Sequence, residues 1–373
     1  MLVSFSKNLQ GSKLQEEYKE IERNCILNSF SKEHKVNNYI KKINVLNRNT
    51  GIVSNVGDYQ SQISKRSHNN LQKSSTIVNT SIQKGLIPIF ITLTLPSRFH
   101  PFTSKEVKKR VVFFKNKNFD FKNISTSIKE GYQLLSQTHR SFYKRLKNVD
   151  KELTFINCVE YHKSFIPHMH LLLFVRPELV DSVKQRFLST IQKFQLTRTD
   201  FQVIDNDFNI EIVSSYIRKY MFKSLTLKDD TQDVKTNKLT ENRKFDGYLK
   251  LFKIRQFRMN QLKLSLEIYN KVYYSLNKEF KTKIIEKITP LKKSLFQFIM
   301  ENIKITKRVI SVSSLTLQQS QFSLNNTPKI FEVIVNSIKN TNISKVVNLL
   351  IYQTIDDEKR LIYNKQDFQV LTT

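Results

Sequence analysis

The most constraining stretch of the chain is Pro167-His168-Met169-His170-Leu171-Leu172-Leu173-Phe174-Val175. An unbroken apolar run followed by Pro177 predicts a strand held inside a sheet. On a strand, residues i and i+2 point to one face, so His168 and His170 project side by side and Met169 turns the other way into packing. Two imidazoles on one face are a ready pair of metal ligands. Glu160 stands at the end of the preceding predicted strand, residues 153–161. A tight return between the two strands brings its carboxylate to the same place, and His162 is the other candidate for a third ligand. Two nitrogens and one oxygen leave positions open for substrate oxygens.

Two further motifs flank this one. Tyr216-Ile217-Arg218-Lys219-Tyr220, continuing Met221-Phe222-Lys223, falls in a predicted helix over residues 214–225. On a helix, i and i+4 share a face, so both phenols look the same way, with Lys219 beside Tyr216 and Lys223 beside Tyr220. A phenol is a weak nucleophile at neutral pH, and neighbouring ammonium groups favour the phenolate and attract phosphate. Upstream, Thr92-Leu93-Thr94-Leu95-Pro96-Ser97-Arg98-Phe99-His100-Pro101 reads as a strand over residues 86–95 that ends in a turn. Thr92 and Thr94 share a strand face where their hydroxyls support a site, and Arg98 and His100 follow in a loop able to touch phosphate. Each motif alone has a bland reading: a surface histidine pair, a tyrosine stripe in a core, a strand and its turn.

Charge narrows the partner. The chain carries 62 Lys+Arg against 32 Asp+Glu, a formal net charge of +30. An AT-rich genome would enrich Lys, but does not explain so few acids; a polyanionic partner, nucleic acid, does. Neither G-x-x-x-x-G-K-[ST] nor G-x-G-x-x-G occurs, which argues against a built-in P-loop helicase or dinucleotide-binding domain. Cys25 and Cys158 make neither a disulfide framework nor a zinc knuckle. The longest apolar stretch, residues 86–95, falls short of the roughly 20 residues a membrane helix needs. These features predict a soluble intracellular protein with no membrane partner.

The chain reads as three parts. Residues 1–84 form a polar arm of unknown role, with helix over 14–40 and a loop or flexible linker over 47–80. Residues 85–260 hold the motifs, with helices predicted over 128–146 and 179–194 and strand over 201–213. Strands are joined both by helices and by short links, so the expected fold class is α+β around a mainly antiparallel sheet. Residues 261–373 are expected to be a mainly helical basic C-terminal region, with Pro290 separating two helices.

The order T-L-T, then E…H-x-H, then Y-x-x-x-Y resembles the motif set of the HUH endonucleases. The T-L-T-x-P-S-R-F-H-P stretch, Gly131-Tyr132, and Ile254-Arg255-Gln256-Phe257 resemble more closely the phage replication gene A proteins, which initiate rolling-circle replication. The resemblance covers about residues 85–260. It departs at Met169, where relatives often carry Trp, and in the turn at residues 161–167, which lacks the usual Gly.

The resemblance implies an HUH-like antiparallel sheet flanked by helices. It further implies one Mg²⁺ or Mn²⁺ ion on His168, His170 and Glu160 or His162. Tyr216 or Tyr220 would form a 5′-phosphotyrosine, with Lys219 assisting, on single-stranded or supercoiled DNA at a replication origin. Thr92, Thr94, Arg98, His100, Arg218, Lys223, Arg255 and Arg258 are the candidate DNA contacts. A host polymerase and helicase are the implied partners, and the bacterial host cytoplasm the implied location. An HUH transposase or relaxase, or a basic DNA-binding protein without catalysis, are the competing readings.

Overall fold

The computed structural model describes residues 3–107, 110–150, 153–204, 235–259, 266–291, 295–311, 317–323, 329–340, 343–355 and 358–372. Two compact units divide the chain: residues 1–35 with 60–260, and residues 36–59 with 261–373.

The first unit is built on a five-stranded sheet. Its strands are β4 (Ile87–Thr94), β7 (Thr154–Tyr161), β8 (Pro167–Val175), β9 (Arg198–Val203) and β10 (Phe257–Met259), in the order β10-β7-β8-β4-β9. Every neighbouring pair is antiparallel. The histidine strand is therefore the central one, which is why its apolar run continues on both faces. On one face, Ile89, Ile91, Leu93, Met169, Leu171, Leu173, Phe155 and Val159 are buried in the main core. Helix α3 (Ile124–Lys147) covers that face and packs beside α4 (Val180–Lys193). Asn123 caps α3 by accepting from Thr126 N–H, and Lys144, Arg145 and Lys147 complement its C-terminal dipole. Gly131 explains how closely α3 approaches the sheet: a Cβ there would lie 2.4 Å from Leu95 Cδ1.

A three-stranded sheet of β1 (Val3–Phe5), β6 (Arg110–Lys115) and β5 (Phe102–Val107) stands beside the core, in that order. Helix α1 (Lys13–Ile40) contributes Tyr18, Ile21 and Cys25 to the same hydrophobic cluster. Helix α5 (Lys235–Leu251) crosses α1 at Gly247, where Arg243 and Lys244 pair with Glu33 and Glu22, each at 2.6 Å.

The linker expected over residues 47–80 is instead the end of β2 (Ile43–Asn47), then β3 (Val53–Asn55) and helix α2 (Tyr59–Gln83). The reason is visible in the side chains. Ser74, Ile77, Val78 and Ser81 recur at helical spacing and are all buried. The hydroxyls of Ser74, Thr76 and Thr80 return to carbonyls of their own helix, at Leu71, Gln72 and Thr76. A composition that looks like a polar linker thus presents a buried face.

The second unit corrects the expectation of a mainly helical C-terminal region. Helices α6 (Leu266–Ser275), α7 (Lys278–Ile288) and α8 (Leu295–Glu301) occupy only its first part, with Pro290 between α7 and α8. A sheet follows: β11 (Ile303–Ser311), β12 (Leu317–Ser323), β13 (Phe331–Asn340), β14 (Ile343–Ile355) and β15 (Glu358–Asn364), in the order β12-β11-β13-β14-β15. β11 and β13 run parallel, the other pairs antiparallel. Ile303 and Ile305, Phe331, Val333 and Val335, and Leu349 and Ile351 alternate into a second core. That period of two outweighs the helical tendency of the surrounding lysines. β16 (Phe368–Thr372) pairs with β2, which pairs with β3.

Candidate metal centre

Register between strands assembles the site. Thr94 pairs with His168, which pairs with Glu160; one step further along, Thr92 pairs with His170. All five side chains alternate onto the face of the sheet opposite α3. Glu160 and His170 are buried and His168 is half-buried. Glu160 Oε1 lies 3.8 Å from His170 Nε2. Thr92 Oγ1 lies 3.3 Å from His170 Nδ1, so the hydroxyl engages one ring nitrogen and the other turns to the carboxylate. The His168 and His170 rings stand edge to face, centroids 4.6 Å apart. One ligand atom from each of Glu160, His168 and His170 falls within 4.8 Å of the others, a grouping of donors able to hold a metal ion.

His162 stands outside that group of three. Its ring stacks on His168 at 4.3 Å and tilts against His100 at 5.6 Å. His162 is exposed at its outer edge, yet desolvation of its packed ring lowers its pKa to about 4, with the nearby His100 adding to the fall. Burial also lowers the pKa of His100, against the opposing effect of its contact with the Leu95 carbonyl at 3.2 Å. Arg98 is exposed at the end of the Thr-Leu-Thr strand and lies over the Phe99 ring.

Other expected site residues lie elsewhere. Arg258 pairs in register with Asn157, on the α3 side of the sheet, and its guanidinium donates to the Tyr132 hydroxyl at 3.2 Å. It is thus on the opposite face from the histidines. Arg255 is exposed, and its backbone N–H donates to the same Tyr132 oxygen. Tyr216, Arg218, Lys219, Tyr220 and Lys223 lie outside the described residues, as does the helix expected over 214–225.

Three side chains that sequence reasoning did not single out hold the site in place. The turn between Glu160 and His168 has no glycine, and Phe165 itself adopts a left-handed conformation, φ 66°. That backbone is costly for a bulky residue. The cost is offset because the Phe165 ring is buried and its carbonyl accepts from the hydroxyl of Tyr248 at 2.9 Å. Tyr18 donates to the neighbouring Lys163 carbonyl at 3.1 Å. Asn116 does the same for the other loop, donating to the carbonyls of Ser97 and His100. These tyrosines come from α1 and α5, far away in sequence, so no local motif marks them. Tyr248→Phe is expected to cost about 1–2 kcal/mol, because the buried Phe165 carbonyl loses its donor. Urea unfolding measures this, and an unchanged midpoint would show that the carbonyl finds another donor.

The fold and site together define an α+β protein with two histidines and a carboxylate gathered on one face of an antiparallel sheet. The family model described as bacteriophage replication gene A protein (GPA) matches residues 13–245, more than half of the chain. The chain belongs to the bacteriophage replication gene A protein family, and its role is in phage DNA replication. No curated protein and no solved structure matches the chain. Among the described residues, no helix is long and apolar enough to cross a membrane.

Proposed function

We propose that this protein initiates rolling-circle replication by cutting one DNA strand at an origin and holding the cut end on its own tyrosine. The observation that carries the reading is the three-residue donor set of Glu160, His168 and His170 on one sheet face. Belonging to the gene A family and the charge of +30 support DNA as the substrate. When bound, a Mg²⁺ or Mn²⁺ ion supplies Lewis-acid charge at a phosphate oxygen. Thr92 orients the His170 ring, Arg98 offers positive charge to flanking phosphates, and His100 stands beside it as a hydrogen-bonding group.

The hydroxyl of Tyr216 or Tyr220 attacks the scissile phosphorus. The tyrosine–phosphorus bond forms as the bond to the 3′ oxygen breaks. The departing oxygen takes up a proton and becomes a free 3′-hydroxyl, a primer for a host polymerase. One ester replaces another, so the cut and the later joining need no ATP. The second tyrosine serves the second transfer, which releases a closed circle. Lys219 and Lys223 favour the phenolates, and Arg218 steadies phosphate.

The test uses supercoiled DNA carrying the chain's own gene and flanking genome, with Mn²⁺. Nicked circles bearing covalently attached protein are the expected product. Tyr216→Phe/Tyr220→Phe is expected to leave no adduct on a denaturing gel. An undiminished adduct in that double variant removes these tyrosines from the reaction.

A further inference from the structure

We infer that the outward face of the β5–β6 ribbon, centred on Phe114 and Lys105, is a stacking platform for bases of single-stranded DNA beside the cut. The inference rests on the proposed DNA substrate and deepens it.

The ribbon's two faces differ sharply. Phe102, Val111 and Phe113 point inward, where Phe102 and Phe113 stack at 4.9 Å and meet Phe5 and Tyr18. Register pairs Thr103 with Phe114 and Lys105 with Val112 on the other face. There Phe114 is 36% exposed, so its ring is not required by the core. The Lys105 ammonium lies 6.0 Å from the centre of that ring. An exposed aromatic face with a cation beside it is the chemistry that binds successive bases without sequence preference. The local sequence suits a polyanion: residues 105–117 carry Lys105, Lys108, Lys109, Arg110, Lys115 and Lys117 against Glu106 alone.

Position links the platform to the centre. Two residues beyond Phe114, buried Asn116 clamps the carbonyls of Ser97 and His100, and its N–H donates to Pro101 O. His100 in turn touches His162, which stacks on His168. The ribbon is thereby tied, through Asn116, to the loop that carries His100 beside the histidine cluster.

The protein has no tryptophan, so Phe114→Trp places a single selectively excited reporter on the platform. Full-length Phe114→Trp is titrated in EDTA with a mixed-sequence single-stranded oligonucleotide and, separately, with heparin of equal charge. Quenching by the oligonucleotide well beyond that by heparin is expected. Phe114→Ala is expected to weaken single-strand binding roughly 5- to 150-fold, the range set by ~1–3 kcal/mol per stacked base. Lys105→Ala should weaken it less. Both variants should unfold at the wild-type temperature, since these side chains are exposed.

Equal quenching by heparin, no quenching at all, or wild-type affinity of Phe114→Ala each overturns the platform. The last result would leave the ring as a protein-docking feature. Because binding is read without metal and can be repeated in His168→Ala/His170→Ala, failure of the nicking proposal and failure of the platform give separate outcomes.

Discussion

Replacing His168 and His170 together by alanine is expected to lower Mn²⁺-dependent nicking about 1,000-fold or more. The two imidazoles supply two of the three donor atoms that fall within 4.8 Å of one another. A lone Glu160 carboxylate cannot hold a divalent ion in place, and the Lewis-acid contribution of such an ion is worth several kcal/mol, with each 1.36 kcal/mol counting tenfold in rate. Glu160 would also sit buried beside two methyl groups, its carboxylate stripped of the His170 contact at 3.8 Å. Calorimetry with Mn²⁺ should show loss of a specific site in parallel. Nicking at the wild-type rate by the double variant would dismiss the metal centre, whatever the tyrosines do. Thr92→Val should be milder, about 10- to 100-fold in metal affinity or rate, because it removes only the group that orients the His170 ring.

The second large effect is on stability. Gly247→Ala would place a methyl carbon 1.6 Å from the carbonyl oxygen of Cys25 and 2.5 Å from its carbonyl carbon. Both are backbone atoms, so no side-chain rotation relieves the overlap; α1 and α5 must move apart. Helix propensity favours alanine by up to about 1 kcal/mol, yet overpacking of this kind costs ~1–3 kcal/mol or more, and here the obstacle is main chain. A net destabilisation of about 2 kcal/mol or more is expected from urea denaturation followed by circular dichroism. The shift would also pull on Tyr248, the next residue, and so on the turn it secures through Phe165. Unchanged stability would mean that the two helices cross with more slack than the structure shows.

Much of the first unit was legible because its signals are local. A strand-like stretch over residues 153–161 and the unbroken apolar run behind His170 marked two strands, and Pro96 and Pro177 marked ends. The i, i+2 rule alone put His168 and His170 on one face. Where polarity misled, the structure supplies the cause. Helix α2 hides buried Ser and Thr whose hydroxyls bond within the helix, so composition suggested a linker. The C-terminal lysines masked a sheet whose buried apolar residues, Ile303 and Ile305, Phe331, Val333 and Val335, and Leu349 and Ile351, are spaced two apart. Arg258 read as part of a basic tract, and only pairing with Asn157 revealed that it faces helix α3.

By itself, then, the amino-acid order determined which residues form the central strands, which imidazoles are neighbours, the excess of positive charge and the likeness to gene A proteins. Those properties depend on spacings of a few residues, and such spacings are written in the chain. Only tertiary structure decided that Glu160 joins the histidines while His162 stacks outside them. It alone decided that Thr92 contacts His170 across a strand boundary, and that Tyr18 and Tyr248 secure a glycine-free turn. Those outcomes depend on register and on helices arriving from far along the sequence, where one step of strand slippage would turn every side chain to the opposite face.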